Sequence, residues 1–224
     1  DDVFYTWAGP EIAVASTKAY TTQLVCMYLL ALKMGKQKGT VDQKYYNEIL
    51  SGLKEIPKKL KEFLRNSGKI EKLAGKYCKR EKIFFVGRGH DAGVSYEGAL
   101  KLKEVSYINA FAIAAGELKH GTIALMDKET LVIALATQDA LIEKMASNIR
   151  EITTRSAQVI GIAKKHNKDL KKYTDEIICI PDCMDELTPI LSVVPLQLFA
   201  YYVAKNRGCD IDQPKNLAKS VTVE

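Results

Sequence analysis

Histidine is scarce in this sequence, with three in 224 residues (His90, His120 and His166), and none has a partner at metal-ligand spacing. The five cysteines (Cys26, Cys78, Cys179, Cys183 and Cys209) are odd in number and scattered. The closest pair, Cys179 and Cys183, fits no common zinc pattern. No metal site is therefore expected, and the thiols read as reduced, mostly buried groups of a cytoplasmic protein. No apolar run is read as reaching the roughly 18 uncharged residues of a spanning helix, so no membrane role is expected. No basic-then-apolar leader follows Asp1-Asp2, and no repeat or low-complexity stretch is present. With 47% hydrophobic residues and a net charge of only +6, the chain lacks the composition of a disordered protein. Its length suits one large domain or two small ones.

The excess of positive charge is concentrated but not pure. Lys54, Lys58, Lys59, Lys61, Lys69, Lys72, Lys76, Lys79, Arg80 and Lys82 are interleaved with Glu55, Glu62, Glu71 and Glu81. Such mixing describes a solvated helical surface better than a nucleic-acid stripe. Anionic small molecules would also be drawn to a mildly basic protein.

Residues 3–7 read as a short buried strand with nothing before it to pair with, as if the chain began partway through a domain. Ser16 or Thr17 can cap an apolar helix over about 17–34, closed by Gly35. Thr40 and Gln43 form a capping-box pattern for a helix near 41–54, and Pro57 is placed to open another, to about residue 65. Asn66-Ser67-Gly68 is the best boundary. Beyond it, apolar runs at 83–86, 131–136, 159–162 and 176–180 alternate with helical segments at about 91–108, 139–156 and 188–207. That alternation predicts an α/β fold with a parallel sheet covered on both faces. The last helix is apolar almost all round, with Thr188 as its cap, Pro189 as a favoured first residue and Pro195 placed to kink it. The tail from Asp210 has no strong period.

Four segments can carry chemistry. Gly87-Arg88-Gly89 follows a strand and precedes a helix, where backbone N–H groups can cradle phosphate, or it is simply a tight turn. It lacks the third glycine of a dinucleotide fingerprint, so no nucleotide cofactor is expected. Glu97, Lys101 and Glu104 are spaced by four and three residues and share one helix stripe within an arc of about 60°. Beside it run Val94, Gly98, Leu102 and Val105, so the charges sit at the edge of the buried face. There, partial desolvation can tune a carboxylate as a base, unless the group is an ordinary surface ion pair. His120 lies in a polar, glycine-flanked segment and can shuttle protons or simply face solvent. Lys219, among small and apolar residues of the tail, can act as an amine nucleophile or can be a solvated terminal lysine.

Taken together, several motifs narrow these alternatives. They are Gly9-Pro-Glu-Ile-Ala-Val-Ala-Ser-Thr-Lys-Ala-Tyr-Thr-Thr-Gln23, Glu97-Gly-Ala-Leu-Lys-Leu-Lys-Glu104, Ala115-Gly-Glu-Leu-Lys-His-Gly121, Val194-Pro-Leu-Gln-Leu198 and Asp212-Gln-Pro-Lys-Asn-Leu-Ala-Lys-Ser-Val-Thr-Val-Glu224. In this order and over nearly the whole chain they resemble the glucosamine-6-phosphate synthases, the isomerizing glutamine–fructose-6-phosphate aminotransferases. Ala13, where the family commonly has glycine, and Thr122, where proline is frequent, are the departures.

The resemblance implies a three-layer αβα sugar isomerase (SIS) fold, preceded by the helical closing part of a first SIS domain. Residues 1–68 would be that closing part, 69–209 the second SIS domain and 210–224 a catalytic tail. A glutaminase domain and a Ser/Thr-rich loop for the sugar phosphate would lie outside this chain, and with them full activity. The implied reaction turns fructose 6-phosphate and glutamine-derived ammonia into glucosamine 6-phosphate, the first step of hexosamine (UDP-GlcNAc) synthesis. By matching positions, Lys219 forms a Schiff base with C2, Glu104 moves a proton between C1 and C2, and His120 assists ring opening from the neighbouring subunit of a homodimer. Glu97 and Lys101 line the site, while Val14, Ser16 and Ala218 contact the sugar. No cofactor is implied. Another SIS-fold isomerase or deglycase, or a sugar-phosphate-sensing domain, is the competing reading.

Overall fold

Strands that are apolar on both sides are stable only where both faces of a sheet are covered. The computed structural model, which describes residues 2–220, puts every run of that kind inside one parallel sheet. Its strands are β1 (Lys82–Gly87), β2 (Asn109–Ala114), β3 (Leu131–Ala136), β4 (Gln158–Lys164) and β5 (Glu176–Ile180), in the order β2-β1-β3-β4-β5. Ile83 pairs with Ala110 on one side and Leu131 on the other, and Ile133 is in register with Ile160.

Six helices complete the fold: α1 (Lys18–Gln37), α2 (Gln43–Arg65), α3 (Gly68–Tyr77), α4 (His90–Ser106), α5 (Ile142–Thr153) and α6 (Thr188–Asn206). The strand period of two splits the core into halves. Ile83, Phe85, Ile133, Leu135, Ile160 and Ile162 face α3, α4 and α6, and Leu32 of α1 with Ile49 and Ile56 of α2 join the same half. Phe84, Val86, Val132, Ala134 and Val159 face Met145, Ile149 and Ile152 of α5. The result is a three-layer α/β/α architecture, as the alternation of elements predicts.

The stretch Asp185–Asn206 is, contrary to expectation, long and apolar enough to cross a membrane by length and composition. It instead lies largely buried against α3, α4 and the sheet. It packs closely at Gly98 of α4, where an added Cβ would sit 2.5 Å from Leu196 Cδ1 and 3.0 Å from the Phe85 ring.

Other expectations are corrected. Residues 3–7 form no strand, and Val3 and Trp7 are 71% and 91% exposed, because no neighbouring strand supplies a ladder. Gly35 does not end α1. The helix runs on to Gln37 and Gly39 takes the left-handed turn (φ +68°), while the missing Cβ of Gly35 leaves room for Val41. Pro57 does not start a helix but sits inside the 23-residue α2, which begins after an Asp42 cap on the Tyr45 N–H at 2.7 Å. An internal proline costs about 3 kcal/mol. Against that, buried Ile49 and Ile56, with partly buried Leu53, Leu60 and Phe63 beside them, form one stripe against the core. A side chain of this size contributes roughly 1.5–3 kcal/mol when fully buried, so the two isoleucines alone offset the break. Thr188 is the first helical residue of α6 rather than its cap, its hydroxyl donating to the Asp185 carbonyl. α3 and β2 are additions. β2 is an alanine-rich edge strand whose residues have weak strand preference, and the ladder to β1 holds it.

A valine at position 98 is therefore expected to lower the unfolding free energy by about 1–3 kcal/mol through overpacking. Urea denaturation of Gly98→Val checks this, and an unshifted midpoint would mean that α4 and α6 are less closely packed.

Candidate active site

The turn between β1 and α4 is closed by side chains. At Gly87 a Cβ would meet the Asp91 backbone at 2.5 Å, and at Gly89 (φ +52°) it would meet Gln138 Oε1 at 2.6 Å. Gln138 donates to the Arg88 carbonyl at 2.6 Å. Fully buried Asp91 accepts from the Thr137 N–H at 2.7 Å and the Thr137 hydroxyl at 2.6 Å. Burial pushes the Asp91 carboxyl above its usual range, against the pull of those hydrogen bonds. With an acidic side chain already in the first turn of α4, these residues favour a tight turn over a phosphate cradle.

α4 carries the charged stripe as its spacing predicts. Val94, Gly98, Leu102 and Val105 are buried, and Glu97, Lys101 and Glu104 lie along their edge. Lys101 is itself buried, with its ammonium 2.5 Å from Glu104 Oε2 and 3.7 Å from Glu97 Oε1. Glu97 Oε1 is too far from the ammonium for a hydrogen bond and Glu104 Oε2 is out of line for one, so neither oxygen has such a partner among the described residues. Burial raises the Glu97 carboxyl above its ordinary value. Lys101 pulls it down and Glu104 pushes it up. Tyr20 of α1 completes this wall, its phenol raised first by burial and then by the Glu97 charge.

The second wall is the segment before α1. Thr17 stands at the N-cap position as expected, yet its side chain does not cap. Glu11 does so instead: Oε1 accepts from the Thr17 N–H at 2.8 Å, the Lys18 N–H at 3.0 Å and the Thr17 hydroxyl at 3.1 Å. The tail is docked on this segment. The Val14 N–H donates to the Asp212 carbonyl at 2.9 Å, and the Lys215 N–H donates to the Tyr107 hydroxyl at 2.7 Å. Lys219 then turns back, its Nζ donating to Ala13 O at 2.8 Å, Ser16 Oγ at 3.2 Å and Val14 O at 3.5 Å. Glu11 Oε2 is 3.6 Å away. The lysine side chain is 43% exposed, so it is held by oxygens rather than desolvated.

A cavity of about 200 Å³ joins the two walls, lined by Ala13, Ala15, Thr17, Lys101, Gln197 and Tyr201, among others. Val14, Ser16 and Lys219 therefore gather on one side of the segment whose other side meets Lys101. Ala218 is exposed next to Lys219. The remaining expected residues, Val221 to Glu224, lie outside the described residues.

His120 stands apart. It ends a single 3-10 turn (Ala115–His120) after the edge strand β2 and is 74% exposed, with Nδ1 2.7 Å from Glu117 Oε2. No contact among the described residues links it to Lys219 or to the α4 stripe.

Sequence reasoning missed Glu11, Tyr20, Asp91 and Gln138. Glu11 had a signal, a carboxylate a few residues before a helix start. Gln138 had none, because only the register of β3 against β1 brings it to the turn.

The SIS domain family model matches residues 76–207, more than half of the chain. The chain belongs to the SIS domain family. This SIS chain is 56% identical, over all 224 residues, to the glutamine–fructose-6-phosphate aminotransferase [isomerizing] of Caldanaerobacter subterraneus subsp. tengcongensis. It is 52% identical to that of Clostridium acetobutylicum. It spans 37% of the length of each. Among solved structures, the C-terminal domain of the glucosamine-fructose-6-phosphate aminotransferase from Francisella tularensis superposes with a TM-score of 0.88 at 36% identity. That match covers 92% of this chain and 58% of the other.

The raised Glu97 carboxyl has a pH consequence. A carboxyl that is harder to ionise folded than unfolded takes stability away as pH rises from its unfolded value, about 4.3, through its folded value. Glu97→Gln is therefore expected to melt above the parent SIS chain at pH 7, with the difference shrinking toward pH 4. Thermal scans across that range check it, and a constant difference would assign the effect to packing instead.

Proposed function

We propose that this chain is the isomerase, sugar-binding part of an enzyme that converts fructose 6-phosphate and glutamine-derived ammonia into glucosamine 6-phosphate, the entry step of hexosamine synthesis. The observation that carries the reading is the seat of Lys219. A tail lysine is held by Ala13 O and Ser16 Oγ on the same short segment whose Ala13, Ala15 and Thr17 line a cavity together with Lys101. An amine so fixed, near an ion-paired carboxylate stripe, suits imine chemistry on an open-chain ketose.

In this reading Lys219 Nζ attacks C2, the C–N bond forms and the carbonyl oxygen leaves as water. Ammonia then adds to C2 and Lys219 leaves as the free amine, which places the ammonia nitrogen on C2 as an imine. The Glu104 carboxylate takes a proton from C1 and delivers it to C2, so that C2 becomes the amine-bearing carbon and C1 the aldehyde. Lys101, 2.5 Å from Glu104 Oε2, fixes the position of that carboxylate, and Glu97 with Lys101 lines the sugar. Val14, Ser16 and Ala218 form the floor on which the sugar lies. No cofactor enters. His120 assists ring opening in the neighbouring subunit of a homodimer. Support for that arrangement comes from its exposure and from exposed Tyr96, Leu100 and Phe111 on α4 and on β2, the strand that leads to its loop. A cytoplasmic setting accords with five unpaired cysteines. Residues 1–68 are read as the closing part of a first SIS domain, 69–209 as the second and 210–224 as the catalytic tail. The family match over 76–207 supports the middle unit.

Borohydride reduction in the presence of fructose 6-phosphate tests the chemistry. Peptide mapping is expected to find the sugar on Lys219, no adduct in Lys219→Ala, and an adduct without C1 proton exchange in Glu104→Gln. A sugar phosphate that binds reversibly with no trapped adduct would favour a sensing domain over an enzyme.

A further inference from the structure

Glu11 has no part in the proposed chemistry, yet it is the carboxylate nearest to Lys219 among the described residues. Its side chain is only 10% exposed, and its two oxygens have different fates. Oε1 takes three hydrogen bonds from the first turn of α1. Oε2 is buried, has no hydrogen-bond partner among the described residues and faces Lys219 Nζ at 3.6 Å.

The neighbouring groups make this arrangement rigid. Pro10 precedes Glu11, and the Pro10 carbonyl accepts from Lys18 Nζ at 2.6 Å, which closes residues 10–18 into a loop. Burial pushes the Glu11 carboxyl up, but the Thr17 and Lys18 hydrogen bonds outweigh it and hold the group below its usual range, so it is ionised at neutral pH. The three nearest partners of the Lys219 ammonium, Ala13 O, Ser16 Oγ and Val14 O, are neutral and can use all three of its N–H donors. Glu11 adds what they lack, a fixed negative charge behind the amine.

We propose that Glu11 is a positioning residue for Lys219. One carboxylate oxygen locks the start of α1, and the other draws the tail lysine into the carbonyl seat of residues 13–16, so that the amine is held on the segment that lines the cavity. The inference rests on the reading of Lys219 as the imine-forming amine. It goes further in that it makes the helix start and the nucleophile one unit: whatever moves the first turn of α1 also moves Lys219. Asp212 and Lys215 anchor the tail backbone, but Glu11 with residues 13–16 anchors the amine itself.

The test separates charge from scaffold. Glu11→Gln keeps an oxygen to accept from Thr17 and Lys18 but removes the charge, and its melting temperature serves as the check that α1 stays capped. Two rates are then measured at Lys219 by peptide mass spectrometry in the full chain. They are reductive methylation by formaldehyde with cyanoborohydride, and trapping of fructose 6-phosphate by borohydride. The expected result is opposite movement, with methylation several-fold faster because the amine is released and sugar trapping about tenfold slower because it is no longer presented. Glu11→Asp, which keeps the charge, is expected to recover part of the trapping rate. A cap without a positioning role would leave both rates as in the parent. Unchanged methylation overturns the proposal, as does sugar trapping as fast as in the parent. If the parent traps no sugar, the proposed function fails and methylation alone decides the role of Glu11.

Discussion

Burial of α6 is the constraint on which the remaining architecture depends. A helix with Leu, Ile, Val, Phe and Tyr on every side must be covered all round, and here α3, α4, α1 and the apolar strand residues Phe85 and Ile133 cover it. The cover is close enough at Gly98 that a Cβ would collide with Leu196. That contact fixes α4 in rotation about its own axis. With Gly98 and Leu102 turned inward, Glu97, Lys101 and Glu104 have one place to go, the rim of the core beside α1. The stripe of charge is thus a by-product of apolar packing. Its geometry is as stiff as the core beneath it.

The same helix sets the course of the tail. α6 ends at Asn206, Gly208 adopts φ +69°, and the chain returns across the segment before α1. The Val14–Asp212 and Tyr107–Lys215 hydrogen bonds hold it there. Lys219 reaches its seat because sequence positions 13–16 and 212–219, some two hundred residues apart, are pinned by one helix start and one helix end. Electrostatics then refines what packing has brought together. Buried Lys101 is balanced by two carboxylates, and Lys219 by Glu11, while a cavity stays open beside Lys101.

Much of this was legible in the sequence, and the limits have physical causes. The four apolar runs at 83–86, 131–136, 159–162 and 176–180 read as strands of a covered parallel sheet, and the four-three spacing of Glu97, Lys101 and Glu104 could only place them on one face. Local signals failed where tertiary burial overrode them. Pro57 has the look of a helix start, yet the stripe from Ile49 to Phe63 carries α2 through it. Gly35 has the look of a helix stop, yet Gly39 supplies the left-handed turn. β2 was invisible because its alanines gain strand structure only from β1. Lys219 read equally as an amine nucleophile or as a solvated terminal lysine, and its actual seat is made mainly of backbone carbonyls, which no pattern of side chains announces. The roles of His120 and of the tail lysine came from resemblance to a family and not from spacing.

The central claim is that the seat of Lys219 is a sugar-phosphate site. Calorimetric titration of the chain with fructose 6-phosphate, run beside Lys219→Ala, tests it most directly. The account predicts saturable binding to the parent chain and clearly weaker binding to the variant. Equal binding by the two proteins would contradict it.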